Sequence, residues 1–453
     1  MTGSALALTV FCCVSGGPFG LEPLVSGAGP GLALLLILVI PLVWALPDAM
    51  TTAELAPAIP VEGGYVVWVR RAMGPLAGFL NAWWTWIYTL VDAAIYPVLF
   101  ATYLSGFLKA TNGISWLDRE EHPLHHWLVC VVVVGLFTLL NVKGTRLVGR
   151  TSSLFAAVII VPFLVMAVVG LIRLGMHPRP IVSSFFPQDT SPSKALAAGL
   201  SVVMWNYLGW DALSTIAEEV DEPAKAYPRA MLLGVPLVAS VYFFPTLAGL
   251  AFFPTVDAWQ EGAWPEIARA VGGSALWWAV SISGLVSPIA LFTASLLGSS
   301  RVPFVLAEER FLPKALVSIH PRFGTPWKAV LLCGLIYAVL TWQKFQDLVE
   351  LNVIMYGAAL VLESAALLVL RWREPDLPRP FKIPGGWPVL ALTFFLPVAV
   401  VATLVVLSIQ EEGWASMRLT GAALASGPII YFCVRTWQGR RGAKDFGIGG
   451  PIS

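Results

Sequence analysis

The sequence predicts an all-α polytopic membrane protein of twelve transmembrane helices, the first and sixth of them interrupted. Three observations carry that expectation. Hydrophobic residues make up 57% of the 453-residue chain and charged residues only 12%, giving a mean hydropathy of +0.77, far above that of water-soluble domains. Apolar runs of about 20 residues, enough to cross a hydrocarbon core as helix, recur from end to end. Two of these runs are broken near their middles by glycine, proline or polar residues. Continuous apolar stretches such as 32–46 and 128–140 exclude a β-barrel, whose strands alternate over about 10 residues.

The first span falls at 6–27. Its apolar start has neither a basic leader nor a small-residue cleavage pattern, so it reads as a span and not as a signal peptide. Charge clusters and Pro/Gly turns delimit the next five at 31–59, 74–108, 124–142, 149–174 and 194–217. The second half gives 229–253, 276–306, 327–341, 347–370, 387–409 and 417–437. All belong to one transmembrane domain over residues 1–453, with 438–453 as a tail.

With a cytoplasmic N-terminus, twenty of the 28 Lys and Arg residues fall on the cytoplasmic side. Lys109, Arg119, Arg173, Arg179, Lys194, Arg269, Lys344 and Arg418 remain outside. This bias obeys the positive-inside rule, and an even number of spans places both termini in the cytoplasm of a cell-membrane protein. The basic run 435–444 is read as part of that topology signal. Cys12, Cys13, Cys130, Cys333 and Cys433 lie in apolar runs without metal-ligand spacing, so neither disulfides, metal nor cofactor is expected.

The first break reads Ser15-Gly16-Gly17-Pro18-Phe19-Gly20. Proline removes a backbone donor and the glycines permit non-helical backbone. The second reads Met204-Trp205-Asn206-Tyr207-Leu208-Gly209-Trp210-Asp211, a polar and aromatic interruption holding an acid. Breaks in corresponding spans of two halves point to an inverted repeat with a solute site at the bilayer midplane. The repeats would be spans one to five (1–174) and six to ten (194–373), followed by two extra helices (387–437). Free amides at a half-helix start suit a carboxylate, and free carbonyls suit an ammonium.

At these residues the chain resembles the amino acid/polyamine/organocation transporter superfamily, in particular its L-type branch with the plant and trypanosomatid polyamine-uptake transporters. The resemblance rests on both breaks, on Ala45-Leu46-Pro47-Asp48-Ala49 with Ala53-Glu54-Leu55, and on Glu62-Gly63-Gly64-Tyr65. It extends to Tyr96-Pro97-Val98-Leu99, Glu218-Glu219-Val220-Asp221-Glu222-Pro223 and Arg379-Pro380-Phe381-Lys382-Ile383-Pro384. It implies a five-plus-five inverted repeat followed by two helices. It also implies that the amides of Ser15, Gly16 and Gly17 face one end of the substrate and the carbonyls near Trp205, Asn206 and Leu208 its amine. Trp205 takes the place of an aromatic gate, and Asp211 stands where relatives set an acid or amide beside the amine.

Ionisable groups within spans mark solute or proton pathways because unpaired charge is costly in hydrocarbon. Asp92 and Tyr96 share a helix face at i, i+4, and Glu363 lies mid-span without a base in its own helix. These residues, with Asp211, are expected in the substrate site. Glu350 is expected to be solvated. Asp48 and Glu54 are assigned to gating or support, as helix caps or as holders of the Arg70/Arg71 loop. Pairing of Glu218, Glu219, Asp221 or Glu222 with Arg70, Arg71 or Arg301 would make an inner gate.

A cavity lined by several acids favours polyamines or other cationic amines, with amino acids second because the first break suits a carboxylate. The lysine that a proton-coupled subset of the superfamily carries in span five is absent, which leaves a carboxylate as carrier of any co-transported proton, or exchange. Ser283 and Ser287 are weighed as sodium ligands. No HExxH, P-loop or Ser/His pair suggests an enzyme. A cation channel is the rival class, and whether an accessory subunit exists is left open.

Overall fold

The computed structural model describes residues 14–440 except 62, 144–147, 189, 213, 216–219 and 309, with backbone alone at 148–156 and 438–440. Every regular element among them is helical. After the helical Val14 the chain leaves the helix over 15–21 and re-enters it at α1 (Glu22–Ala28). Then α2 (Pro30–Ile40), a π-helical turn at Pro41–Ala45 and α3 (Leu46–Ala58) run on as one rod. The sharp joint between α1 and α2 is Gly29, at φ +85°. A Cβ there would come within 2.7 Å of the Phe186 and Pro187 backbone, so only glycine fits.

The next helices are α4 (Gly64–Met73), α5 (Pro75–Asn112), α6 (Pro123–Val142), α7 (Val148–Met176), α8 (Pro192–Trp205) and α9 (Pro223–Phe252). They are followed by α10 (Trp264–Ser299), α11 (Val302–Glu308), α12 (Trp327–Leu340), α13 (Phe345–Arg373), α14 (Gly386–Glu412) and α15 (Arg418–Arg440). Proline opens α2, α5, α6, α8 and α9, where its missing N–H removes no helical bond. Most described span ends fall within a few residues of those expected from sequence, and residues 6–13 of the first expected span lie outside the described residues. The exceptions are the sixth, expected to reach 217, where α8 stops at Trp205, the seventh, where α9 starts at Pro223 and not at 229, and the eighth, where α10 starts at Trp264 and Gly273 (φ 78°) divides a short entry helix from the span proper.

Among the described residues eight helical stretches are long and apolar enough to cross a membrane, and α12 is a shorter apolar helix. The protein is inside-out relative to a soluble one. Val132, Leu136 and Leu139 of α6 and Phe395 of α14 are more than half exposed, whereas Glu22, Asp48, Asp211 and Glu363 are at most 2% exposed. Only hydrocarbon makes that distribution favourable.

Helix α5 packs most extensively on α13 and also on α10, which in turn lies against α7. These four surround the non-helical stretches. Glu54 sits where α3, α13 and the following loop meet, but its partners differ from the Arg70/Arg71 loop expected. The Arg371 guanidinium grips both its oxygens, at 2.5 and 2.6 Å. Arg379 lies at 3.2 Å, and the Ile383 N–H donates at 2.9 Å. Arg371 is distant in sequence and hidden in a helix end, so local charge patterning pointed to the nearer arginines. Arg71 instead pairs with Glu374 at 2.7 Å, and Glu222 pairs with Lys225 at 2.9 Å. Glu218 and Glu219 lie outside the described residues.

Candidate substrate site

The stretches 15–21 and 206–211 approach each other against α5, α9, α10 and α13 and enclose a cavity of about 90 Å³. The first contributes Gly16, Gly17 and Phe19 after the helical Val14, and the second Asn206, Leu208 and Gly209 after Trp205. Tyr88, Asp92 and Tyr96 of α5, Tyr242 of α9, Ser287 of α10 and Asn352 of α13 complete the polar and aromatic wall. Asp92 is the only carboxylate among the described lining residues, and none of them is a base.

Sequence dictates the backbone at both breaks. Gly17 (φ 84°), Gly20 (φ 82°) and Gly209 (φ 91°) take left-handed conformations that a side chain would strain. Backbone groups freed from the helix find partners, as buried backbone must. The Gly16 carbonyl accepts from Ser287 Oγ at 2.7 Å, and that of Pro18 from Trp264 Nε1 at 2.6 Å. The Asn206 carbonyl accepts from the Tyr242 hydroxyl at 2.9 Å, while the Gly209 N–H donates to Tyr356 Oη at 3.2 Å. Ser283 Oγ donates to the Ile159 carbonyl at 3.2 Å. Both serines weighed for sodium thus tie α10 to neighbouring elements.

Asp92 is held from two sides. Tyr96 donates to Oδ2 at 2.7 Å, as the i, i+4 spacing anticipated, and Trp205 Nε1 donates to Oδ1 at 3.0 Å. The Trp205 ring meets Phe345 edge-on, with centroids 5.5 Å apart. A Cβ on Gly20 would lie 2.8 Å from Trp205 and 2.9 Å from Phe345. Trp205 thus lines the cavity with Phe345 and Gly20 packed against it, and Asp92 fixes its indole.

Of the residues assigned from sequence, Gly16, Gly17, Asp92, Tyr96, Trp205, Asn206 and Leu208 line the cavity. Ser15 is buried beside it without lining it, its Oγ accepting from the Gly17 N–H at 3.4 Å. Asp211 and Glu363 lie outside the lining. Asp211 faces the Tyr356 hydroxyl at 2.9 Å, and that same hydroxyl bonds Asp48. Asn81 Nδ2 donates to Glu363 at 3.0 Å. Asp48, assigned to helix capping or gating, is thus part of a buried polar group with Asp211. Glu350 is half-buried, with one carboxylate oxygen enclosed and unpartnered, and so is less solvated than its position near a span end suggested.

Tyr88, Tyr242, Asn352 and Tyr356 escaped sequence reasoning because uncharged residues in spans read as packing. Glu22 was also missed, although an acid directly after a broken helix was a usable signal. Its carboxylate accepts from the Gly20 N–H at 2.8 Å, the Gly262 N–H at 3.1 Å and the Tyr103 hydroxyl. It thereby fastens the loop before α10 onto the first break. In that loop, burial and the neighbouring Glu22 push the Glu261 carboxyl up to about 7, with Asp347 adding to them and Arg119 and Lys344 opposing.

The folded protein thus holds the Glu261 proton more tightly than an unfolded chain does. This group's contribution to stability is most favourable below about pH 4.5 and is lost as pH rises through about 7. Thermal melting in detergent across that window should show this decline, and Glu261→Gln should flatten it. An identical pH profile in the variant would exclude Glu261 as the source.

An apolar-surfaced helical bundle that buries its acids and a polar cavity in its interior defines an integral membrane protein. Residues 7–424 match the amino acid permease family, and the chain belongs to that family of membrane transporters. It is a transporter and not an enzyme. A probable polyamine transporter of Arabidopsis thaliana is 35% identical over 89% of this chain and 78% of its own length. The polyamine transporter PUT1 of rice, Oryza sativa subsp. japonica, is 32% identical over 94% and 77%. The large neutral amino acids transporter small subunit 2 of Mus musculus is 28% identical over 90% and 75%.

Proposed function

We propose that this protein is a secondary transporter that carries polyamines or other cationic amines across a cell membrane by alternating access, coupled to protons or working by exchange. One observation carries the substrate class: among its described lining residues the cavity has a single carboxylate, Asp92, and no base. Its wall adds Phe19, Tyr88, Tyr96, Trp205 and Tyr242, whose ring faces attract a desolvated ammonium. The names of the Arabidopsis and rice relatives agree with this reading. In it, twelve spans in a five-plus-five inverted repeat plus two helices place both termini in the cytoplasm, and the first and sixth spans are the broken ones. Trp205 is the gate that must leave Asp92 for an ammonium to enter.

Asp211 and Glu363 act on the substrate from behind the wall, through the field of their charges. Asp48 and Glu54 support the moving parts, and Ser15 positions the Gly17 amide. An amino acid is the second reading, favoured by Gly16 and Gly17 on the same cavity, whose amides would take a carboxylate. Asp92 opposes it, because a second carboxylate in a small low-dielectric space is repelled.

The test is uptake of labelled putrescine, spermidine, arginine and leucine into proteoliposomes. Putrescine and spermidine should enter saturably and compete with each other. Entry of leucine without entry or competition by the amines would replace the first reading with the second.

A further inference from the structure

We propose that Asp48, Asp211 and Tyr356 form a proton-binding site directly behind the substrate cavity, with Asp48 carrying the proton in this conformation. The inference deepens the reading of the protein as a coupled amine transporter and rests on it for its use, although not for its chemistry. Valences decide it. Tyr356 Oη has one hydrogen and two lone pairs. One lone pair takes the Gly209 N–H at 3.2 Å, and the carboxylates of Asp48 and Asp211 both lie within hydrogen-bonding distance of what remains. A phenol with one hydrogen cannot donate to both. The arrangement closes when Tyr356 donates to Asp211 and a protonated Asp48 donates to Tyr356.

The surroundings identify which acid holds the proton. Asp211 takes the Tyr356 hydroxyl at 2.9 Å, a donor that suits an ionised carboxylate. Asp48 is 1% exposed, and its Oδ1 is buried without a partner. An ionised carboxylate so placed would be left badly solvated, whereas a carboxylic acid leaves only a carbonyl oxygen there. The charged or titratable groups facing this pair are Glu363 and Tyr356 of α13, Tyr88 and Asp92 of α5 and Tyr65 of α4. None is a base, so among the described residues nothing neutralises two carboxylates at once, and Arg371 on the same helix is taken by Glu54.

A metal cation fits poorly. Among the described residues no group of three or more His, Cys, Asp or Glu side chains is placed to hold one, and the Tyr356 hydroxyl already fills the space between the two acids. Binding is then plain protonation: water on one side gives a proton to the Asp48 carboxylate, and release returns it to water on the other. Gly209 lines the cavity and donates to Tyr356, and the Tyr88 ring, also in the lining, meets the Tyr356 ring edge-on with centroids 5.0 Å apart. A solute that shifts either residue changes the hydrogen bonds on which the proton depends, which links the two sites.

Infrared spectroscopy of the reconstituted full chain without amine tests the site itself. The wild type should show a protonated-carboxyl stretching band at neutral pH that titrates away in alkali. The band should be absent in Asp48→Asn, and in Tyr356→Phe it should titrate at a different pH. No band in the wild type, or a band unchanged in both variants, overturns the proposal. If Asp48→Asn does not reach the membrane, Tyr356→Phe alone decides, by a shifted or an unshifted titration.

In the same vesicles, putrescine accumulation driven by an inward proton gradient should fall at least tenfold in Asp48→Asn. Full proton-driven accumulation in that variant, or drive by a sodium gradient in place of protons, also overturns the proposal. If the band behaves as expected while the wild type moves no amine, the amine reading fails and the proton site stands.

Discussion

Replacing Asp92 by Asn is expected to abolish high-affinity amine binding while leaving the protein folded and in the membrane. Asparagine keeps the shape and one acceptor oxygen, so Trp205 retains a partner and the cavity its volume. What disappears is the only carboxylate in the lining. Removing one partner of a buried, hydrogen-bonded charge pair costs roughly 2–5 kcal/mol. That corresponds to a weakening of putrescine binding of roughly 30-fold to several thousandfold, with 1.4 kcal/mol for each factor of ten. Calorimetric titration of putrescine into purified wild-type and variant protein measures it. Equal affinities would remove Asp92 from the site. The neutral analogue n-butanol, which lacks an ammonium, should gain nothing from the wild-type carboxylate.

The second large effect concerns stability. Glu54→Gln should destabilise the fold by about 3–5 kcal/mol, the usual result of stripping one charge from a buried ion cluster. Arg371 and Arg379 are 8% and 3% exposed and share Glu54 as their carboxylate. The loss would leave two guanidinium groups in a closed space, and the Ile383 N–H would face an amide in place of a carboxylate. Thermal unfolding in detergent should show a much lower transition temperature and reduced yield. A normal melting curve would mean that the Arg379 bonds to the carbonyls of Leu370, Glu374 and Leu377 suffice by themselves. Whatever part Glu54 takes in gating, its contacts make it first an anchor between α3, α13 and the chain leading to α14.

Most of the helical layout was legible because hydropathy and proline placement act locally. A proline at 75, 123, 192 or 223 opens a helix whatever surrounds it. The non-helical backbone at 15–21 and 206–211 was legible for the same reason, since Pro18 lacks a backbone donor and Gly17 and Gly209 allow left-handed conformations. The partners of the acids were not. The Asp92–Tyr96 contact was legible because Tyr96 sits four residues on, within one helix turn, but the second donor to Asp92, Trp205, is 113 residues away. Asp48 and Tyr356 are 308 apart, and Glu54 and Arg371 are 317 apart. Pairs at that separation exist only through tertiary packing and leave no periodic trace. Glu363 was drawn toward the substrate site by its charge, and Asp211 also by the acid or amide that relatives set there, whereas packing leaves both out of the cavity lining, Asp211 against Tyr356 and Glu363 against Asn81.

The central claim is that an amine is carried through this cavity behind a closing Trp205. Counterflow tests it most directly. Proteoliposomes loaded with unlabelled putrescine and diluted into trace labelled putrescine should take up label transiently above its outside concentration, with saturable initial rates. Label that only equilibrates, at rates that rise linearly with concentration and with a measurable conductance, would contradict a carrier and describe a channel.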